Sequence, residues 1–517
     1  MPPLPAPPTR SVLIPALVGL ALSAAGPIAA QPPLLRARLV QDLTEVVPAV
    51  HPQSVWPREL VRLGNRIFFV ASGFSEAATD QEVWVTDGTS AGTRRLTALN
   101  TEAPCRPLQG LTVLGDRLFF TYGSALWVLD TTTEVARPLS PQSTYPHAAI
   151  FITMIAADVL YYRLIDADSH LCRSDGTVPG TFCIDTHVAE LGVALGRRLL
   201  FVADDSHDRE PWVASNGESV AQLRDIAPGS FASSDPGGWA VFDGAALFFA
   251  ADDGRAFDLW RTDGTPPGTQ RVADIDVYLL GNVFGFRQVI DLRRHLYFTA
   301  GDATHLARAW RSDGTQAGTT PLAAGPDEAG VILPIARAGG RLLALSAGGQ
   351  PTELWSFDPA TGGSTKLASV ASTWRDAVSE IAGRTIFTSC TAGRGCEPWI
   401  SDGTAAGTHQ LANIAPRATS SAPTFYTRLG AEIVFVASDG TGPPSLWALP
   451  APLDDPCSGD CSGNGEVTID ELVNGIGIAS AGRGIDRCVS MDRAGDGSVG
   501  IDDLVAAVGH ALDGCFP

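Results

Sequence analysis

Positive charge is scarce in this chain: 36 Lys and Arg stand against 56 Asp and Glu, a net charge of −20. A surface that acidic repels nucleic acid and anionic membranes and argues against both as partners. Past Ala25 no segment is apolar enough to cross a bilayer, which takes about 20 residues in a helix. The nine histidines form no H-x-H or H-E-x-x-H pair, so the usual signature of a catalytic metal is missing. Charged residues are only 18% of the chain and hydrophobic ones 45%, which argues against a disordered polymer. What is abundant instead is Gly (54) and Pro (37), a composition suited to many short strands joined by tight turns.

The first thirty residues carry Arg10, an apolar run from Val12 to Ala25, and small residues ending at Ala29 and Ala30. This layout predicts a signal peptide over 1–30 with cleavage before Gln31; an uncleaved anchor is the alternative. Nine cysteines in an exported chain imply disulfides with one thiol left over. Cys172 and Cys183 flank one turn symmetrically and are expected to pair across a hairpin, and Cys390 and Cys396 to close a short loop. For Cys457, Cys461, Cys488 and Cys515 three pairings are open, and the paired C-x-x-C of a zinc ribbon is missing. Cys105 is the residue left over.

The dominant feature is a repeat. Trp260–Thr269 reads WRTDGTPPGT, and close copies begin at Trp84, Trp310 and Trp399, with a variant at Cys172 and worn copies at Trp127, Trp212, Trp355 and Trp447. A period of about 45 residues marks units that cannot bury their apolar faces alone. Each unit has an apolar run, such as Ile67–Val70, Leu199–Val202 or Ile433–Val436, without polar alternation, so both faces of that strand are expected to be covered. The next strand carries the Trp, and Asp-Gly then turns the chain. A third strand ends in patterns such as Arg271–Ile275, and a further segment such as Trp239–Phe242 is expected to supply a fourth.

Four antiparallel strands per unit predict a mainly β fold: a β-propeller of about eight or nine four-stranded blades over residues 31–450. The last unit lacks a third strand, and residues 37–46 look like one without its partners. They are therefore expected to complete the blade of residues 430–449 and close the ring; an open solenoid is the alternative. A count of eight would mean that the unit at Trp127 or Trp355 is not a full blade.

The unit Asp258–Thr269 resembles those of the bacterial ELWxxDGTxxGT repeat proteins. The resemblance covers roughly residues 37–450 and implies an exported, propeller-like repeat without implying an activity. Gly88-Thr89-Ser90-Ala91-Gly92 matches the G-x-S-x-G of a serine nucleophile, but sister units place Val178, Pro266, Gln316 and Ala405 at the Ser90 position, so no nucleophile is assigned. The acidic turns at Asp204-Asp205, Asp252-Asp253-Gly254 and Asp439-Gly440 read as solvated turns rather than calcium sites, and the tryptophans as core anchors rather than a sugar platform.

From residue 451 to 517 the pattern becomes helical. Asp460–Glu471 reads as a twelve-residue calcium loop, with Asp460, Ser462 and Asn464 as side-chain ligands, the Glu466 carbonyl, and Glu471 as the closing carboxylate. A helix capping box between Thr468 and Glu471 is the alternative use of that spacing. A second copy, Asp492 to Asp503, offers Asp492, Asp496, Ser498 and Asp503 but has Ala494 and Gly500 at ligand positions, so it is expected to bind more weakly. Apolar stripes are expected at Leu472, Val473 and Ile476 and at Leu504, Val505, Val508 and Leu512.

Two such loops, each followed by a helix, resemble a dockerin over residues 457–515. That resemblance implies calcium as the cofactor and a cohesin-like or other surface protein as the partner. The four cysteines, the weakened second loop and Glu471 depart from the family pattern. The expected function is an exported, non-enzymatic binding or structural protein, secreted or at a bacterial cell surface, presenting propeller loops for protein or glycan contact. The alternative is an extracellular polysaccharide-degrading enzyme, which would need a convergent acid and base pair.

Overall fold

In the computed structural model each apolar run becomes the second strand of an antiparallel sheet, flanked by a strand on either side. The structure describes residues 33–515 apart from 44–55, 73–80, 101–105, 142–148, 157, 167, 205–207, 216–218, 230–232, 253–255, 278–288, 302–307, 323–330, 348–351, 371–376, 392, 417, 452–456, 463, 465, 482–483 and 494–497. The expected signal peptide, Cys105 and Asp496 therefore lie outside the described residues. In the first blade Arg58–Leu63, Arg66–Ser72, Gln81–Thr86 and Arg94–Arg95 lie side by side in chain order. Phe68 and Phe69 are both fully buried on opposite faces of the strand. Phe68 packs with Leu118 and Phe120 of the following blade, and Phe69 with Val434 and Val436 of the last one.

The first strands of adjacent blades approach one another and line the centre of the ring. This corrects one expectation: Trp239–Phe242 does not end the preceding unit but forms part of Gly237–Phe242, which pairs with the apolar run after it. The two-residue turn Asp243-Gly244 joins these strands, and such a short hairpin dictates antiparallel pairing of its own arms.

Among the described residues there are eight hydrogen-bonded sheets, seven with four strands and one with seven. The larger sheet is two repeat units that share Phe182–Leu195. The first part of that strand pairs with Ser169–Ser174 and the second part with Arg198–Asp204. The described residues thus form nine repeat units in eight sheets. The worn units at Trp127 and Trp355 each form a full four-stranded sheet, so the count of eight arises from the shared strand.

Arg38–Gln41 pairs with Ser445–Pro450, placing Leu39 opposite Trp447, and forms the outermost strand of the last blade. Val40 and Leu43 are buried in the apolar layer between the last blade and the first. The ring is closed in this way, and the edge of Ser445–Pro450 is covered rather than left to pair with another chain. Of the expected segment 37–46, residues 44–46 lie outside the described residues.

The DGT turns share one geometry. Asp263 Oδ1 accepts hydrogen bonds from the Thr265 amide at 2.9 Å and the Thr265 hydroxyl at 2.6 Å, while the Gly264 amide donates to Thr262 Oγ1 at 3.0 Å. Gly264 has φ +83°, which glycine adopts without a Cβ penalty. The same Asp to Thr bonds recur at Asp87, Asp175, Asp313 and Asp402. Arginines at the start of the neighbouring blade's second strand hold the turn in place: Arg198 donates to the Asp263 carbonyl at 2.9 Å and Arg117 to that of Asp175 at 3.3 Å.

Ser90 of the G-x-S-x-G match hydrogen-bonds Gln41 of the closing strand, so its hydroxyl serves the ring closure. Trp84, Trp260, Trp310 and Trp355 are buried between blades, as core anchors should be. Disulfides join Cys172 to Cys183 and Cys390 to Cys396, each pair directly opposite across two strands. The terminal cysteines pair as Cys457–Cys515 and Cys461–Cys488. Among the described residues no helix is long and apolar enough to cross a membrane.

Candidate functional site

Each acidic loop of the C-terminal segment feeds a helix: α1, Ile469–Ala481, and α2, Ile501–Asp513. In the first loop the chain wraps around Asp460, whose Oδ1 accepts from the Asn464 amide at 3.1 Å and the Ser462 hydroxyl at 3.2 Å. Glu471 Oε1 accepts from the Ser462 amide at 2.9 Å, so the two carboxylates meet at Ser462. Glu471 Oε2 accepts from the Thr468 amide at 2.8 Å and its hydroxyl at 3.0 Å, so the capping-box use of this spacing is realised. Both carboxylates are buried. Asn464 Oδ1 accepts from the Glu466 amide at 3.0 Å, and the Glu466 side chain turns outward. The side chains gathered here offer oxygen donors only, a set that suits a hard divalent cation.

The second loop repeats part of this arrangement. Asp503 accepts from the Arg493 amide at 3.1 Å and the Gly500 amide at 2.8 Å, and both Asp492 and Asp503 are buried. Ser498 is exposed, and Asp496 lies outside the described residues. The two loops are held back to back: the Ser490 hydroxyl donates to the Asp460 carbonyl at 2.6 Å, the Gly459 amide to the Ser490 carbonyl at 3.1 Å, and Cys461–Cys488 links them covalently.

The apolar stripes differ from expectation. Leu472 and Leu504 turn inward, packing with Met491, Val499 and Ala507. Val473, Ile476, Val505, Val508 and Leu512 are exposed, joined by Ile469 and Ile501, each 78% exposed. The outward residues of α1 and α2 are spaced three or four apart, so each helix carries one continuous apolar stripe facing solvent.

The first loop rests on the propeller. In the sixth blade the turn between Ile290–Leu292 and His295–Ala300 presents the Arg293 amide, which donates to the Asn464 carbonyl at 2.8 Å. Arg294 Nε lies 3.2 Å from Glu466 Oε2. Asp291 lies beside this turn, and burial is the main cause of its pKa being pushed up to about 6, with Arg337 pulling it down. Its Oδ1 is buried with no hydrogen-bond partner. Beside this contact the module and the blade turns line an open cavity of about 540 Å³ that includes Arg337, Arg428, Asp460, Ser462 and Arg487.

Residue patterns in the sequence do not single out Asp291, Arg293 or Arg294. The available signal is the turn itself. Gly64, Gly115, Gly196, Gly244, Gly340, Gly383 and Gly430 serve equivalent turns in sister blades, but here Arg293 and Arg294 both take positive φ, 48° and 56°. That conformation costs an ordinary residue about 1–2 kcal/mol, and backbone strain of this kind gathers at functional contacts.

A separate carboxylate cluster lies in the fourth blade, where Asp208, Glu210 and Asp225 oxygens fall within 4.8 Å of one another. Glu210 is committed to the fold: it accepts from the Ile226 and Ala227 amides at 2.9 and 3.2 Å and from the Ser234 hydroxyl at 2.7 Å. Burial raises its pKa. Glu397 does the same in the eighth blade with Ile414, Ala415 and Ser421. The acidic residue two before the Trp is therefore a staple for the chain leading to the next blade.

No family model and no curated protein matches this chain. Among solved structures it is similar to one from a study of two prolyl endopeptidases (11% identity, TM-score 0.38), covering 67% of this chain and 54% of that one. It is also similar to a Mycobacterium tuberculosis puromycin-hydrolyzing peptidase (13% identity, TM-score 0.40), covering 79% and 61%. A third is the β-propeller domain of the Trilobed protease from Pyrococcus furiosus (15% identity, TM-score 0.30), covering 52% and 82%. The chain thus spans 54% and 61% of the length of the first two. The propeller assignment rests on the sheet order and register above, and no activity is read from these likenesses.

Proposed function

We propose that this is an exported, non-enzymatic binding or structural protein in which the propeller presents loops for protein or glycan contact and the C-terminal segment is a dockerin-like, calcium-binding docking module. The observation that carries this reading is the pair of solvent-facing apolar stripes, Ile469, Val473 and Ile476 on α1 and Ile501, Val505, Val508 and Leu512 on α2, each beginning where an acidic loop ends. Apolar residues in rows on a surface this acidic are the mark of an interaction face. Asp460, Ser462, Asn464, the Glu466 carbonyl and Glu471 would hold the first calcium; Asp492 and Asp503, with Asp496 and Ser498, a weaker second one. The ion would neutralise the buried carboxylates and fix the angle at which each helix leaves its loop.

The disulfides support export, since such bonds persist in oxidising compartments. The non-enzymatic reading is supported by Glu210 and Glu397, whose oxygens are engaged by backbone amides and a serine hydroxyl. The test is retention of a surface protein from the same cells on immobilised full-length chain. Retention that requires calcium, reverses with a chelator and fails with Val473→Glu and Val505→Glu supports the reading. Retention indifferent to all three contradicts it.

A further inference from the structure

At one end of the innermost strands the propeller carries charge that the repeat does not require. In each blade one residue near the end of that strand pairs with the start of the apolar run: Arg62 with Ile67, Arg337 with Leu342 and Arg428 with Ile433. In the second to fifth blades the same place holds Val113, Ile155, Ala194 and Val241, so the fold is satisfied by apolar residues there. The eighth blade has Glu380 at this place, paired with Thr385. The innermost strands of the seventh, eighth, last and first blades are neighbours. Three arginines and one glutamate therefore stand on four successive blades.

These four residues line the cavity of about 540 Å³, and the C-terminal module adds Arg487 and Asp460 to its wall. Arginines outnumber carboxylates there by four to two, in a chain whose net charge is −20. Arg337 and Glu380 neutralise one another, with Nε 2.8 Å and Nη2 2.7 Å from Glu380 Oε2. Arg428 is different. It is only 8% exposed, its Nε donates to the Gly430 carbonyl at 3.2 Å, and its Nη2 donates to the Asp492 carbonyl at 3.4 Å. Among the described residues it has no carboxylate partner, and its Nη1 has no partner at all. A buried guanidinium without a counter-ion is costly, and an anion beside it removes that cost. Arg487 is exposed on the module's side of the cavity and likewise has no hydrogen bond or ion pair among the described residues.

We propose that this cavity binds a small oxyanion, a carboxylate or phosphate carried on a molecule of about the size of a sugar, between Arg428 of the propeller and Arg487 of the module. A guanidinium suits either head group, because its planar fork donates two parallel hydrogen bonds to a pair of oxygens. The volume falls within the range of small-molecule sites, roughly 300–1,000 Å³. The bound head group supplies the negative charge that Arg428 lacks. This inference goes beyond the docking function above, since it uses neither the exposed stripes nor a bound metal.

The test is calorimetric titration of glucuronate, glucose 6-phosphate and glucose into the full-length chain, in a phosphate-free buffer of low ionic strength. The three probes share a sugar ring and differ in the head group, so they separate a carboxylate site from a phosphate site. Saturable binding of glucuronate, of glucose 6-phosphate or of both is expected, weakened by sodium chloride and absent with glucose. Arg487→Ala should weaken that binding by about ten-fold or more, the worth of one hydrogen bond to a charged group. Arg428→Met should weaken it at least as far, while Arg261→Ala, on a strand of the fifth blade away from the cavity, should match wild type. Should Arg428→Met not fold, Arg487→Ala decides alone, because its side chain is exposed. Binding of neither acidic probe, binding of glucose as tight as that of the acids, or equal affinity in wild type and Arg487→Ala overturns the inference.

Discussion

A Cβ built on Gly268 falls 2.0 Å from Oδ1 of Asp263, the oxygen that receives both hydrogen bonds from Thr265. The same clash awaits at Gly92, Gly180, Gly318 and Gly407, each against the aspartate of its own turn. The second glycine of the motif is therefore required by the first residue of the turn and not by its own backbone angle. Gly268→Ala should destabilise the chain by about 1–3 kcal/mol in urea unfolding, within the range for forced displacement of a bonded group. Gly442→Ala, which meets nothing within 4 Å, should stay within about 0.5 kcal/mol of wild type. Equal losses in the two variants would refute this account of the motif.

The turn aspartates also set the acid limb of stability. Hydrogen bonding from the threonine two residues on is the leading cause that holds Asp87, Asp175, Asp263 and Asp313 below the ordinary carboxylate value. A folded value below the unfolded one means the unfolded chain takes up protons first. The stability these groups contribute is present above the unfolded pKa of about 3.9 and lost as pH falls through the lower folded values. Melting midpoints should drop from about pH 4 downward. Replacing all four with Asn, which keeps the accepting Oδ1, should flatten that drop. The individual effects are small because the groups are exposed, so the combined variant is the informative one.

Ring closure depends on a short strand far from its partner in sequence. Leu43 is fully buried and Val40 nearly so, between the first and last blades. Leu43→Ala should cost about 2–5 kcal/mol, as for other buried leucines. Removal of residues 31–43 should uncover the edge of Ser445–Pro450 and turn a monodisperse protein into one that self-associates. Light scattering that shows no change on that deletion would count against closure by this strand.

On the proposed reading, the solvent-facing stripes serve recognition and not folding. Val505 is 65% exposed and Ile501 78%. Val505→Glu with Ile501→Ser should shift unfolding by no more than about 0.5 kcal/mol, as exposed substitutions generally do. The same pair of changes should remove calcium-dependent retention of the partner. A large loss of stability would mean that these residues are covered within the chain.

The sequence made the local devices readable because they repeat. Asp-Gly turns, buried tryptophans, the Cys172–Cys183 and Cys390–Cys396 pairs and the orphan strand at Arg38 are each defined within a few residues or by comparison between units. Strand assignment failed at Trp239–Phe242, because its partner is set by a two-residue hairpin on one side and not by the repeat anchor on the other. The fused sheet leaves no mark in the sequence, because Phe182–Leu195 changes partners in mid-strand with no proline or glycine cluster at the switch. On the helices, periodicity found apolar residues but not their facing: Leu472 turns inward and Val473 outward because only packing of one helix on the other decides it. The contact of the Arg293 amide with the Asn464 carbonyl has no local signature beyond two arginines where most other blades keep a glycine.

The most direct measurement is equilibrium dialysis of the full-length chain against radioactive calcium, alongside the Asp460→Ala, Glu471→Gln double variant. The account predicts saturable binding by the wild type that the double variant loses at its tighter site. Wild-type chain that retains no calcium above the dialysis buffer, or a double variant that binds as wild type does, would contradict it.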